Sequence, residues 1–441
     1  MAEHTPQVIF ADAGDADPMK LAEYERIGGY AALHKARGME RQAVLDELLS
    51  ANVRGRGGAG FPMGRKASFL PKPDQSPKPI YLVVNADESE PGTFKDREIM
   101  LRVPHRLLEG CLITAHAIGA KLVFIYIRGE YLAEFEVLRH ALVEVRAAGL
   151  LGETTVVLHR GAGAYICGEE TGLLESLEGK RGQPRSKPPF PAISGLYASP
   201  SLINNVETLA TVPAIIERGG AWYASLGVEN STGTRVFSLS GNVERGGNYE
   251  VPLGISLREL IYDIGGGVPG GRRLKAVIPG GSSVPVLTAE EIDTKLDFDS
   301  MAEAGSMLGS GAVIVIDDRC CMVQLGLRVA QFYIHESCGK CTPCREGTRW
   351  MVQLLHKIDD GRAAQSDLDL LLDVCDRILG KCLCPLGDAA AMPVASYVDK
   401  FRAEFQEHID HGGCPYGGAS SLDHVVAPVE QHAHHGLEVS M

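Results

Sequence analysis

Cys338, Cys341 and Cys344 stand at Cys-x-x-Cys-x-x-Cys spacing in Cys338-Gly339-Lys340-Cys341-Thr342-Pro343-Cys344. Three thiolates at that spacing wrap one corner of a cubane cluster and reach three of its irons. The fourth iron needs a ligand from elsewhere. Cys384, followed by Pro385 in Cys384-Pro385-Leu386-Gly387-Asp388, is the leading candidate and Cys382 its competitor. Structural zinc usually pairs two Cys-x-x-Cys knuckles, or one knuckle with two His, so the triple repeat favours iron–sulfur. Cys111, Cys320, Cys321, Cys375 and Cys414 are expected to be ordinary buried or free thiols.

Two glycine loops invite a phosphate or a flat ring. Gly55, Gly57 and Gly60 satisfy G-x-G-x-x-G, but a helical stretch precedes them and Phe61-Pro62 follows. The ordinary dinucleotide fingerprint needs a strand before and a helix after, so it fails on context. The loop Gly161 to Gly172 follows an apolar strand, where ligands sit in open α/β sheets. A helix starting near Thr171 would offer its N-terminus to a phosphate. Asp87, Glu88 and Glu90 lie past another strand end and are placed to hold hydroxyls. Asn204, Asn205 and Thr208 offer neutral amides and a hydroxyl to a ring edge or phosphate.

These groups need a scaffold. An amphipathic helix is expected over 40–52, and residues 1–20 as a loose leader. Strands at 80–84, 121–127 and 155–158 alternate with helices around 104–119 and 130–148, which predicts an α/β layer with a mostly parallel sheet. Pro184, Pro188, Pro189, Pro191 and Pro200 mark an extended loop. From 234 to 316 the chain is β-rich, with a short helix near 256–264, in a β-grasp-like order. Four apolar stripes follow at helical spacing and predict a helical bundle. They are Met322 to Tyr333, Trp350 to Ile358, a third running from an N-cap at Ser366 through Ile378, and Val394 to Phe405. The His-rich end is expected to be disordered.

The chain has 441 residues, is 45% hydrophobic, and carries a formal charge of −13. That balance opposes nucleic-acid binding, which needs basic patches. No apolar run approaches the roughly 18 residues of a membrane span, and no signal-peptide pattern opens the chain. A cytoplasmic protein is expected, reaching a membrane only through partners.

Eight motifs in order carry a close resemblance: RGRGGAGFP (54–62), NADESEPGTFKDR (85–97), RGAGAYICGEET (160–171), PRSKPPFP (184–191), INNVETL (203–209), IPGGSS (278–283), ESCGKCTPCREGT (336–348) and CPLGDAA (384–390). Together they resemble the NADH-binding flavoprotein subunit of respiratory NADH:quinone oxidoreductase, complex I. Ala67 stands where that family usually has Trp.

The resemblance implies a Rossmann-like FMN and NADH domain over 61–233, after a leader, helix and loop start over 1–60. A ubiquitin-like domain over 234–317, a four-helix iron–sulfur domain over 318–415 and a tail over 416–441 complete it. It implies FMN held by Gly57, Gly58, Lys66, Asn85, Asp87, Glu88, Gly168, Glu169, Asn204, Asn205 and Thr208. NADH would meet Phe61, Phe69, Glu90, Glu170, Lys187 and Phe190. One [4Fe–4S] cluster would sit on Cys338, Cys341, Cys344 and Cys384. The implied activity is hydride transfer from NADH to FMN, then single electrons to the cluster, with no catalytic side chain. The implied partners are a small thioredoxin-like [2Fe–2S] subunit and a large iron–sulfur subunit, in a peripheral arm on the cytoplasmic face. Alternatives are a diaphorase subunit of an NAD-linked hydrogenase or formate dehydrogenase, and a zinc-stabilised nucleotide-sensing interaction protein.

Overall fold

The structure, a computed structural model, describes residues 7–11, 14–416 and 420. The tail expected to lack order lies outside these residues, except for Tyr416 and Ser420.

The first layer is a parallel sheet of β1 (Tyr81–Ala86), β2 (Leu122–Ile127), β3 (Thr155–Arg160) and β4 (Ser201–Asn205), in the order β3-β2-β1-β4. Leu82, Val83 and Val84 are all buried because helices or loops cover both faces, as parallel sheets require. The chain steps outward from β1 to β3, then returns to the far side of β1 with β4. That reversal opens a crevice at the carboxyl ends of β1 and β4, the usual ligand site of such sheets. Asn85 and Asn205 are register partners there.

Helices Leu21–Arg26 and Ala31–Arg37 precede the expected helix, which spans Arg41–Ala51. The leader is not loose at residues 8–10. Val8, Ile9 and Phe10 donate backbone N–H bonds of 2.7, 3.0 and 2.9 Å to the Glu250 carboxylate, and Val8 and Ile9 are buried.

After a small hairpin of β5 (Gly227–Val228) and β6 (Ser231–Thr232), a second sheet forms. It contains β7 (Thr234–Gly241), β8 (Gly247–Pro252), β9 (Leu274–Ile278), β10 (Leu287–Thr288) and β11 (Ala312–Asp317), ordered β10-β9-β11-β7-β8. β11 runs parallel to β7 and antiparallel to β9. The expected helix near 256–264 ends as a π-helix over Glu259–Ile264.

Helices Met322–Glu336, Thr342–Asp359, Gln365–Ile378 and Leu386–Lys400 pack on one another around Tyr333, Met351, Leu355, Leu371 and Val394. Three details differ from expectation. The third helix begins at Gln365 after Ala364, whose N–H bonds Asp367, so Ser366 is inside it. Trp350 is 53% exposed and lies off the apolar stripe, which runs through Cys344, Met351, Leu354, Leu355 and Ile358. The last stripe breaks at Phe401 (φ −123°, ψ 29°), and a separate helix, Arg402–His411, follows. Among the described residues no helix is long and apolar enough to cross a membrane.

Candidate functional site

The crevice at β1 and β4 widens into a cleft of about 1390 Å³. That exceeds the roughly 300–1,000 Å³ of a single small-molecule site and leaves room for two ligands. Every flavin and nicotinamide-nucleotide residue named from the sequence lines it except Thr208. Thr208 is fully buried behind the loop, where its Oγ1 accepts a 2.9 Å bond from the Arg56 N–H. From there it holds the loop through that bond.

The glycine loop follows the helix Arg41–Ala51, so the strand–turn–helix fingerprint is absent. A Cβ at Gly57 would stand 3.2 Å from the Asn205 Cβ, a tight contact that would push the loop or Asn205 by a few tenths of an ångström. Under it lies a charged triad. Lys95 Nζ sits 2.7 Å from Asp96 Oδ1 and 2.8 Å from Glu207 Oε2, all three groups nearly fully buried. Burial works against the Lys95 charge, but Asp96, Glu207 and Glu88 outweigh it and hold its pKa above the ordinary lysine value. Asn205 Nδ2 donates to Asp96 Oδ2 at 2.6 Å, and its Oδ1 caps the following helix at the Glu207 N–H. Asn204 Nδ2 is buried without a hydrogen-bond partner among the described residues. An orphan donor of this kind costs about 1–3 kcal/mol, so the cleft presents an amide suited to a ligand acceptor.

The acidic residues divide by task. Glu88 spends its carboxylate on the start of helix Lys95–Arg102, accepting from the Asp96 and Arg97 N–H groups at 2.7 and 3.0 Å. Glu169 caps helix Glu170–Leu177 through Thr171 N and Gly172 N. The helix end expected to attract a phosphate is therefore already occupied by a carboxylate. Glu170 is bracketed by Lys66 Nζ at 2.9 Å and Lys187 Nζ at 2.7 Å. Burial would raise its pKa, but the two lysines prevail and it is lowered. Glu90 ties the first layer to the second sheet's domain, accepting from Tyr165 Oη at 2.7 Å and the Ser283 N–H at 2.8 Å. Burial pushes Asp87 up to about 7, only partly offset by Arg128 and Ser89. Asn85 Nδ2 donates to the Gly168 carbonyl at 2.8 Å and ties the two loops together.

Phe61, Phe69 and Phe190 form the mouth, 44%, 51% and 58% exposed, with Phe61 and Phe69 centroids 6.1 Å apart. Lys95, Asp96, Tyr165 and Ser283 also line the cleft and had no separate signal, although Lys95-Asp96 closes the run that starts at Asn85.

A second, smaller cavity is lined by Cys338, Cys341, Cys344 and Cys384, with Ile166, Leu383 and Leu386 as apolar wall. Cys382 is not in the lining; its thiol donates to the Ile378 carbonyl at 3.6 Å. Burial raises Cys344 to about 11 and Cys384 to about 12, so thiolates form there when a cation is present to pair with them. Four converging thiols in an apolar pocket fit a cubane cluster. Ile166 and Leu386 line both cavities, so these two side chains stand between the cleft and the thiols.

Comparison with known proteins agrees with both sites. Residues 48–214 match the Nuo51 FMN-binding domain, 235–315 the SLBB domain, and 324–408 the NADH-ubiquinone oxidoreductase-F iron-sulfur binding region. The chain is 52% identical to the second NADH-quinone oxidoreductase F-type chain of Rhizobium meliloti (strain 1021), covering 93% of this chain and 99% of that one. It is 51% identical to the NADH-quinone oxidoreductase F-type chain of Mycobacterium bovis (strain ATCC BAA-935 / AF2122/97), over 94% and 96%. Among solved structures it resembles a chain of an NAD+-reducing [NiFe]-hydrogenase in the H2-reduced state, with TM-score 0.78 and 37% identity. That match covers 85% of this chain and 63% of the hydrogenase chain. With near full-length identity above half, the chain belongs to the F-type family of NADH-quinone oxidoreductase subunits.

Proposed function

We propose that the floor of the cleft holds FMN, that its aromatic mouth receives NADH, and that Cys338, Cys341, Cys344 and Cys384 hold the cluster. As a member of its family the chain carries FMN and one [4Fe–4S] cluster and serves as an NADH dehydrogenase module. When bound, the flavin takes a hydride and releases electrons singly, and the cluster accepts them one at a time.

The protein supplies position and electrostatics. Gly57 and Gly58 let the loop lie flat against a ring, and Asn204 Nδ2 donates to an acceptor on it. Lys66 and Lys187 hold Glu170 ionised beside the mouth. Phe61, Phe69 and Phe190 offer exposed rings on which a planar base of NADH stacks, which anchors the dinucleotide for hydride transfer deeper in the cleft. Glu90, held by Tyr165 and Ser283, orients hydroxyls and moves no proton. The observation that supports the reading most is the shared wall of Ile166 and Leu386, two apolar side chains that line both the cleft and the thiol cavity.

The domain limits at 61–233, 234–317 and 318–415, the last as a four-helix bundle, follow the same reading. So do a thioredoxin-like [2Fe–2S] subunit and a large iron–sulfur subunit as electron acceptors, in a peripheral arm on the cytoplasmic face.

The test is a visible absorption spectrum of anaerobically purified protein before and after NADH. Flavin bands over a broad iron–sulfur shoulder, both bleached by NADH, are expected. A spectrum without flavin bands after reconstitution with FMN, iron and sulfide would overturn the reading. Cys384→Ser is expected to deplete cluster iron, and Cys382→Ser to leave it intact.

A further inference from the structure

The far end of the helical domain gathers a second set of metal-ligating groups. Cys321, Asp359, His408 and Cys414 place one ligand atom each within 4.8 Å of all the others. They come from separate elements. Cys321 is the N-cap of helix Met322–Glu336, and Asp359 is the last residue of helix Thr342–Asp359. His408 lies in helix Arg402–His411, and Cys414 follows it. The turn at Gly361 packs against the Gly412 backbone so tightly that no Cβ would fit between them. That contact brings Cys414 over the other three. By spacing alone, Cys321 and Cys414 read as ordinary thiols.

The donors are prepared for a cation. His408 Nδ1 lies 2.8 Å from the Glu404 carbonyl, so it carries the proton and donates. Its Nε2 lone pair then faces Cys321 Sγ at 3.2 Å. A backbone acceptor that fixes the tautomer in this way is the usual outer partner of a metal-bound imidazole. Cys321 Sγ accepts the Gln324 N–H at 3.4 Å, at a helix N-terminus that favours the thiolate once a cation offsets the cost of burial. Asp359 Oδ1 is buried and among the described residues makes no well-formed hydrogen bond, with Gln324 as the polar neighbour of its carboxylate. With metal–sulfur bonds of about 2.3 Å and metal–nitrogen bonds of about 2.0–2.1 Å, ligand atoms of a tetrahedral site stand within this spread.

We infer that Cys321, Asp359, His408 and Cys414 bind one Zn2+ ion as a structural site. Two sulfurs, one nitrogen and one oxygen suit zinc, and four protein ligands leave no position for water. Two thiolates and a carboxylate against a divalent ion leave one net negative charge, which the helix N-terminus faces. The 15 residues of helix Met322–Glu336 span about 22 Å and separate this site from Cys338. Zinc is redox-inert, so the ion fastens the last helix to the bundle and carries no electrons.

Full-length protein with its cluster intact, purified without chelator, tests this by elemental analysis and zinc X-ray absorption. One zinc per chain with two sulfur and two nitrogen or oxygen neighbours is expected. Cys414→Ser is expected to lose the zinc while iron content and the NADH-bleached spectrum stay as they were. Zinc in an all-sulfur shell would mean an ion lodged in the cluster site and would overturn the proposal. So would absence of zinc after incubation with zinc chloride, or a Cys321–Cys414 disulfide in protein alkylated anaerobically. The zinc absorption spectrum of the native protein decides even if the variant fails to fold.

Discussion

At the floor of the cleft, Lys95, Asp96 and Glu207 are buried and paired with one another, while at its mouth Phe61, Phe69 and Phe190 keep roughly half their surface in water. The floor is fixed by charge-assisted contacts that exist before any ligand arrives, which suits a cofactor that stays. The mouth holds its backbone in place, but its rings stay open to water, and they gain burial when a planar base enters. That suits a substrate that must leave each turnover. The contrast places affinity in preorganisation at one end and in exchangeable apolar surface at the other.

Breaking the floor has the largest expected effect. Lys95→Met leaves two carboxylates buried without their cation, a loss of about 3–5 kcal/mol. The melting temperature should fall sharply and FMN should be lost on gel filtration; an unchanged melting curve would refute the preformed floor. Asn204→Ala removes a donor that has no partner among the described residues, so apoprotein stability should hold or rise. FMN affinity should drop about tenfold, the worth of roughly one hydrogen bond, measured by flavin fluorescence quenching. A parallel loss of stability and affinity would show that the amide serves the fold instead. Phe190→Ala should raise KM for NADH about 5- to 30-fold, equivalent to about 1–2 kcal/mol of lost ring contact. FMN content and melting temperature should not move, and a change in either would erase the division between floor and mouth.

A pH slope tests the floor independently of any ligand. The unfolded chain releases the Asp87 proton near 4, whereas the folded protein holds it to about 7. The folded state therefore binds more protons across that window, and stability falls as pH rises through it. Flavin-free Asp87→Asn should lose less melting temperature between pH 5 and 7 than the parent; equal losses would assign the slope to other groups.

Much of the site was legible because its signals are local. The Cys338 to Cys344 spacing, the loop at Gly57 and the paired Asn204 and Asn205 each announce themselves within a few residues. The alternating strands and helices of the first layer were visible for the same reason. What escaped depends on partners far along the chain. Lys95 looks like a surface lysine until Glu207 is folded beside it, more than a hundred residues later. Arg56 looks like filler in a glycine loop, yet its guanidinium is fully buried and donates to the Thr232 and Thr234 carbonyls at 2.9 Å. Thr208 carries a polar side chain near a helix start, and only the fold shows it fully buried under the Arg56 backbone. The break at Phe401 was hidden because the apolar period continues across it.

The bond between residues 8–10 and Glu250 also orders events in time. Synthesis proceeds from the N-terminus, and domains generally fold as they emerge. Three backbone amides near the start of this chain have their acceptor 240 to 242 residues downstream. They must wait, solvated, until β8 has left the ribosome. Residues 8–10 are thus placed only after the whole first sheet has been made, and their docking reports that Glu250 has arrived.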